Sequence, residues 1–311
     1  MDRTDVAWRG YFSALPTPFA GSGELDLPAF RATVELFVRQ GVHGLLVNGS
    51  TGEWPLQTLD ERRRLAAAAV EAAAGRVPVI VGVMHPRTAE AVELARHAEQ
   101  IGADAVMAAP PAGVRPTARE LHQYYVDVFG ATSLPAWLYN FPQDAAADIS
   151  IGQLDELVAI PNVVAIKQST PDDRTFYATI EAVSDRVLVF GNLLSRLGLS
   201  AIAGGFGGDG HFGSGMLLGE RMPRFFELAW QGRLDEAAEI ADTNARLMSR
   251  LRGADTDGYN WRHGGMQASL KAAMNLLGQP AGLPRAPKLP ITDPDALEEI
   301  RAALREARLA A

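Results

Sequence analysis

The chain holds 311 residues, 47% of them hydrophobic and 21% charged, with a formal net charge of −8 and no cysteine, a composition that excludes a disordered chain. Negative charge spread without a basic block excludes a nucleic-acid partner, and the lack of cysteine excludes disulfides, thiolate zinc sites and cysteine nucleophiles together. No apolar stretch approaches the ~20 residues of a membrane span, and the opening Met1-Asp2-Arg3-Thr4-Asp5 lacks a signal-peptide core, so no membrane partner and a cytoplasmic location are expected.

Short apolar runs alternate with helical patterns from residue 11 to about position 215, as βα units of a parallel sheet do. Eight runs are expected as strands: 11–15, 44–48, 77–83, 105–109, 136–140, 163–168, 187–191 and a weaker one at 199–204. Between them, apolar residues recur at helical spacing, as at Phe30, Val34, Phe37 and Val38, or Ala91, Leu94, Ala95, Ala98 and Ile101. Thr58 with Glu61, Thr117 with Glu120 and Ser150 with Gln153 have the spacing of capping boxes, and Thr170-Pro171 and Asp293-Pro294 set a cap before a proline at the first helical position. After residue 215 only helical patterns remain, at 216–230, 234–252, 264–277 and 296–309. The expected fold is therefore α/β: a (β/α)₈ TIM barrel with a C-terminal helical extension, its core in 1–215 and its last barrel helix and the extension in 216–311. An open doubly wound sheet is the alternative, disfavoured because no GxGxxG follows the first strand.

Lys167 ends the apolar run Val163-Val164-Ala165-Ile166-Lys167-Gln168, and lysine is almost never buried without a partner or a task. An amine of ordinary pKa ~10.4 is a nucleophile at neutral pH only where an apolar pocket lowers that value by ~3 units. Tyr139 ends the run Ala136-Trp137-Leu138-Tyr139-Asn140, and Gly49-Ser50-Thr51-Gly52-Glu53 follows the second run. In a barrel all three would open on the face formed by the carboxyl ends of the strands, where reactive groups gather. An amine, a phenol and a glycine-bracketed pair of hydroxyls suit Schiff-base chemistry on a 2-oxo acid. Lys167 would attack the keto carbon. Backbone N–H groups between Gly49 and Gly52, with Ser50, would receive the carboxylate, and Tyr139 and Thr51 would move protons. Such chemistry calls for no cofactor. No histidine pattern suggests a metal site, Asp209 with His211 being an isolated pair. Glu53 is expected to order the turn by accepting N–H bonds, and Trp54 to pack. The glycine-dense stretch from Gly204 to Gly210 is expected to follow the eighth strand, where Gly207 would let the backbone close over the pocket.

These motifs, in order and spacing over essentially the whole chain, resemble the dihydrodipicolinate synthase and N-acetylneuraminate lyase family of class I aldolases. Gly49 to Glu53 is similar to that family's carboxylate-binding turn, Tyr139-Asn140-Phe141-Pro142 to its tyrosine motif, and Ile166-Lys167-Gln168-Ser169-Thr170 to its Schiff-base lysine motif. The resemblance implies the barrel, a lysine imine, pyruvate or a related 2-oxo acid as the small-molecule substrate, and a homo-oligomer, tetramer or dimer. Two departures bear on the second substrate. Where dihydrodipicolinate synthases carry an arginine after the tyrosine motif, this chain reads Gln143-Asp144-Ala145, and Asp144 would repel an acidic partner. Where they place tyrosines after the fourth strand, it reads Pro110-Pro111-Ala112-Gly113-Val114-Arg115. Arg87, Arg115 and Arg174 are candidates to replace the missing guanidinium. The expected activity is a lyase or aldolase whose second substrate is not a typical aspartate semialdehyde. Alternatives are a deoxy-sugar-acid dehydratase using the same imine, a true dihydrodipicolinate synthase, a silent 2-oxo-acid sensor, and a metal-dependent aldolase that a chelator would inactivate.

Overall fold

A computed structural model describes residues 1–145, 147–170, 172–252 and 260–310, without the side chains of Asp144 and Asn260. Eight parallel strands close into a barrel in chain order: β1 (Gly10–Ala14), β2 (Gly44–Val47), β3 (Val79–Gly82), β4 (Ala105–Ala108), β5 (Ala136–Asn140), β6 (Val163–Gln168), β7 (Leu188–Gly191) and β8 (Gly210–Ser214). The ring of helices is α1 (Leu27–Arg39), α2 (Leu59–Ala73), α3 (Thr88–Gln100), α4 (Ala118–Phe129), a short α5 (Pro142–Ala145), α6 (Ile151–Val158), α7 (Asp173–Val183), α8 (Arg196–Ala203) and α9 (Arg221–Trp230). The capping boxes at Thr58, Thr117 and Ser150 all form, each reciprocal with the side chain three residues on. Pro171 lies outside the described residues, and the cap of α7 is Asp172, whose carboxylate accepts from the N–H groups of Arg174 and Thr175. Beyond the barrel, α10 (Leu234–Arg252) packs on α8 and α9, and α11 (Met266–Leu276) and α12 (Pro294–Glu306) complete the extension.

Alternate side chains of each strand enter the barrel or face the helices, so two cores form. Leu, Val and Ala fill the outer one. The inner one is aromatic: Phe12, Trp137, Phe190 and Phe212 meet with ring centroids 4.8–5.9 Å apart. Rings of that size need bare backbone opposite them. A Cβ on Gly44 would lie 2.3 Å from the Phe12 ring, and one on Gly210 2.3 Å from that of Phe190.

The eighth strand is not where the apolar pattern puts it. Residues 199–204 fall in or at the end of α8, and the strand is the small-residue segment Gly210–Ser214, hydrogen-bonded to β1 and β7. The loop with Gly207 therefore precedes β8 instead of following it. At Gly207, with φ +120°, a Cβ would meet Ile180, with Ser184 at the end of α7 beside it. This is the amino-terminal face of the barrel, so Gly207 has no place at the mouth, and its expected substrate-binding role is withdrawn. Asp209 works on that same face, accepting from Arg3 at 2.8 Å and from the Val189 N–H at 2.8 Å. His211 stacks on Tyr11 in the layer between strands and helices, and burial pushes its imidazole down to about 3, so it stays neutral.

Candidate active site

Strands β5 and β6 pair with Tyr139 directly beside Lys167, near the carboxyl end of both, and both side chains enter the barrel. The Lys167 amine sits 4.1 Å from the centroid of the Tyr139 ring and 4.8 Å from that of Phe212, in a residue only 7% exposed. A strand position holds this amine more firmly than a loop would, and the aromatic plug beneath closes off retreat into the barrel.

The Gly49-to-Glu53 segment leaves β2 as one turn of 3₁₀ helix, Ser50–Gly52. N–H groups of Gly52, Glu53 and Trp54 are taken by the carbonyls of Gly49, Ser50 and Gly49; those at the start of such a turn stand outside its internal ladder. Glu53 takes a left-handed conformation, φ 62°, which turns the chain into a second short turn, Trp54–Leu56. Its carboxylate accepts from the Lys271 ammonium at 2.5 Å and from the Arg285 N–H at 3.2 Å. Glu53 thus orders the turn as its sequence suggests, chiefly through a cation 218 residues away. Lys271 also donates to the carbonyls of Thr17 at 2.6 Å and Leu283 at 2.8 Å, and Gln267, one helical turn earlier on α11, donates to the Ser50 carbonyl at 2.9 Å. Burial draws the Lys271 amine down to about 8 against the opposite pull of Glu53.

The Thr51 hydroxyl donates to that of Ser214 at 3.1 Å, and the Ser214 hydroxyl reaches the Met266 sulfur at 3.7 Å. Asn140, after Tyr139, pins the chain beyond α5 by donating to Asp148 at 2.8 Å and accepting from the Ile149 N–H at 3.0 Å. A small cleft of about 10 Å³, room for a single water, opens between Ser50 and Tyr139, with Trp54, Met84, Ala112 and Phe141 among its walls. Trp54 is therefore part of the cleft as well as of the core. The Asp144 side chain lies outside the described residues. Arg115 and Arg174 are exposed, and Arg87 is spent on Glu90 at 2.8 Å. Among the described residues no three His, Cys, Asp or Glu side chains converge as a metal site would require, and no helix is long and apolar enough to cross a membrane.

The dihydrodipicolinate synthetase family matches this sequence over residues 7–307. The chain belongs to that family. Its members are class I lyases and aldolases, and this chain is an enzyme of that type. It is 33% identical over 308 residues to the 4-hydroxy-tetrahydrodipicolinate synthase of Rhizobium meliloti (strain 1021), covering 97% of this chain and 99% of that one. To the enzyme of the same name from Phenylobacterium zucineum (strain HLK1) it is 35% identical over 307 residues, covering 98% and 99%. A crystal structure of the chloride-inhibited dihydrodipicolinate synthase from Acinetobacter baumannii, complexed with pyruvate, superposes with a TM-score of 0.85 at 26% identity, covering 97% of this chain and 99% of the other.

Sequence reasoning brought Lys167, Tyr139, Ser50, Thr51, Gly49 and Gly52 to attention, and in the fold they leave the carboxyl ends of β2, β5 and β6. It missed Ser214, hidden by the misplaced eighth strand, and it missed Gln267 and Lys271. Those two stand four apart on an otherwise apolar face of α11, a spacing that carries the signal in plain view.

Proposed function

We propose that this member of the dihydrodipicolinate synthetase family forms a Schiff base between Lys167 and pyruvate or a related 2-oxo acid, and makes or breaks a carbon–carbon bond through it. One observation carries the reading: the Lys167 amine, withdrawn from solvent, lies 4.1 Å from the Tyr139 ring at paired strand positions. In this reading Lys167 attacks the keto carbon, and loss of water gives an iminium that draws electrons from the neighbouring carbon. The turn from Gly49 to Gly52 and the Ser50 hydroxyl receive the carboxylate. Tyr139 and Thr51 move the protons, with Ser214 taking the hydrogen bond of Thr51. The pyruvate in the Acinetobacter baumannii synthase supports the choice of 2-oxo acid. We further read the enzyme as cytoplasmic and as a homo-oligomer, tetramer or dimer.

Incubation with pyruvate and borohydride, followed by intact mass and peptide mapping, is expected to give one reduced adduct, on the peptide holding Lys167. A chain recovered unmodified, or modified elsewhere, overturns the reading. Thr51→Val keeps the shape of the side chain and removes its hydroxyl, so kcat is expected to fall by about 10²-fold or more. Steady-state kinetics check this, and an unchanged kcat takes Thr51 out of the proton path.

A second reading, synthesis of 4-hydroxy-tetrahydrodipicolinate itself, is favoured by the names of the relatives. Against it stand Asp144 in place of an arginine and the segment Pro110-Pro111-Ala112-Gly113-Val114-Arg115, which holds no tyrosine. Product analysis with pyruvate and aspartate semialdehyde separates the two.

A further inference from the structure

We infer that Ser214 is a positioning residue for the imine chemistry: it takes the hydrogen of Thr51, gives its own to Met266, and so holds the Thr51 oxygen as a hydrogen-bond acceptor toward the mouth. The inference deepens the part assigned to Thr51 and rests on Lys167 acting as the imine-forming amine.

Donor counting sets the direction of the chain. The hydroxyl oxygens of Thr51 and Ser214 lie 3.1 Å apart, and the Ser214 oxygen lies 3.7 Å from the Met266 sulfur. A hydroxyl has one hydrogen to give and a thioether has none, so the sulfur can only accept. Ser214 therefore donates to Met266, and the hydrogen between the two hydroxyls comes from Thr51. What Thr51 keeps is its lone pairs. A phenol or a carbinolamine hydroxyl in front of it can donate to them, whereas a phenolate or a carboxylate receives nothing from Thr51 while the chain is intact. The chain is also closed at its far end, because a thioether accepts a hydrogen bond but carries no proton away. A proton handed to Thr51 returns by the way it came.

The fold holds Ser214 where this ordering matters. Ser214 ends β8 on the same inward face as Phe212, whose ring centroid lies 4.8 Å from the Lys167 amine, and alternation sets it one step nearer the mouth. The backbone beyond it is pinned. The Gly215 N–H donates to the Ala14 carbonyl at 3.1 Å, and the Gly215 carbonyl accepts from the Tyr11 hydroxyl at 2.7 Å. Gly215 has φ +69°, and a Cβ there would meet Leu270 of α11 at 3.1 Å. Met266, 6% exposed, opens that same helix, and the next residue, Gln267, holds the Ser50 carbonyl. One helix end thus steadies Ser50 through its carbonyl and Thr51 through Ser214, the kind of support that keeps reacting groups in one geometry. A serine that only filled space would serve equally well with its hydrogen bonds reversed. The sulfur is what opposes the reversal.

The half-reaction with pyruvate alone tests this without a second substrate. Exchange of the pyruvate methyl hydrogens in heavy water, followed by proton NMR, requires the imine, its enamine and the return of a proton to C3. Ser214→Ala is expected to lower the exchange rate at saturating pyruvate by about fivefold or more, with the half-saturating concentration within about twofold of wild type. Ser214→Thr, which keeps the hydroxyl, is expected to stay within about twofold of the wild-type rate. Met266→Leu conserves volume but removes the sulfur, which frees Ser214 to donate toward Thr51; a loss of about threefold or more is expected with Ser214 still in place. Urea unfolding of each variant accompanies the rates. With wild type trapped by borohydride at Lys167, three results overturn the inference and leave the Schiff base standing: a smaller loss in Ser214→Ala or Met266→Leu, no recovery in Ser214→Thr, or a half-saturating concentration that rises in step with the fall in rate. A wild type that neither exchanges nor is trapped removes the Schiff base itself, and this inference with it.

Discussion

Lys167→Ala is expected to abolish borohydride-dependent labelling by pyruvate and to lower kcat/KM by roughly 10⁴-fold or more, equivalent to about 5.5 kcal/mol of barrier. Among the described residues no other lysine can stand in for the lost amine: Tyr139 and Phe212 present ring faces to it, and the other buried lysine, Lys271, is held behind the turn by Glu53 and two carbonyls. Lys167→Arg distinguishes covalent from electrostatic roles. Arginine keeps a cation beside the Tyr139 ring, is never deprotonated in proteins, and so forms no imine. Turnover retained by the arginine variant removes the covalent role, whereas loss in both variants, with unfolding midpoints close to wild type, supports it.

Lys271→Met is expected to destabilise the fold by about 3–5 kcal/mol, read from urea unfolding. Its ammonium and the Glu53 carboxylate lie 2.5 Å apart in side chains that are 1% and 0% exposed. Methionine fills much of the same volume but leaves a buried carboxylate with one backbone N–H, that of Arg285, and the carbonyls of Thr17 and Leu283 without their donor. Because burial already draws the Lys271 amine down to about 8, the pair is poised close to the balance between desolvation and attraction. Removing both charges should therefore cost less than removing one. The double variant Lys271→Met/Glu53→Gln is expected to recover at least ~1 kcal/mol relative to Lys271→Met alone. A double variant no more stable than Lys271→Met would refute the account.

Seven of the eight strands are legible in the sequence because a strand covered on both faces reads as a run of apolar residues. The eighth is not, and the reason lies in its neighbours. Gly210 and Gly213 are bare because a Cβ there would strike Phe190 and Tyr11, leaving a segment with the composition of a loop. Leu199, Ala201 and Ile202, the apolar run taken for that strand, instead belong to α8. That one displacement carried Gly207 to the wrong end of the barrel and concealed Ser214. Lys167, Tyr139 and the Ser50-Thr51 pair are legible because each is carried by its own strand end and local motif. Gln267 and Lys271 differ: their spacing on α11 marks two polar side chains on a buried face, but each bonds a partner more than two hundred positions away, which the spacing does not name.

The bond from Gln267 to the Ser50 carbonyl and the Lys271–Glu53 pair tie α11, near the end of the chain, to the turn that follows β2. Barrel and tail are therefore not interchangeable parts. A chimera that imports strands and loops from one relative and residues 260–310 from another would have to rebuild the outer core that the two share, since Leu270, Met274, Ile300 and Leu304 pack in the same cluster as the barrel. It would join them at a mismatched seam, with an acid or a base facing no counterpart, unless positions 53, 267 and 271 travel as a set.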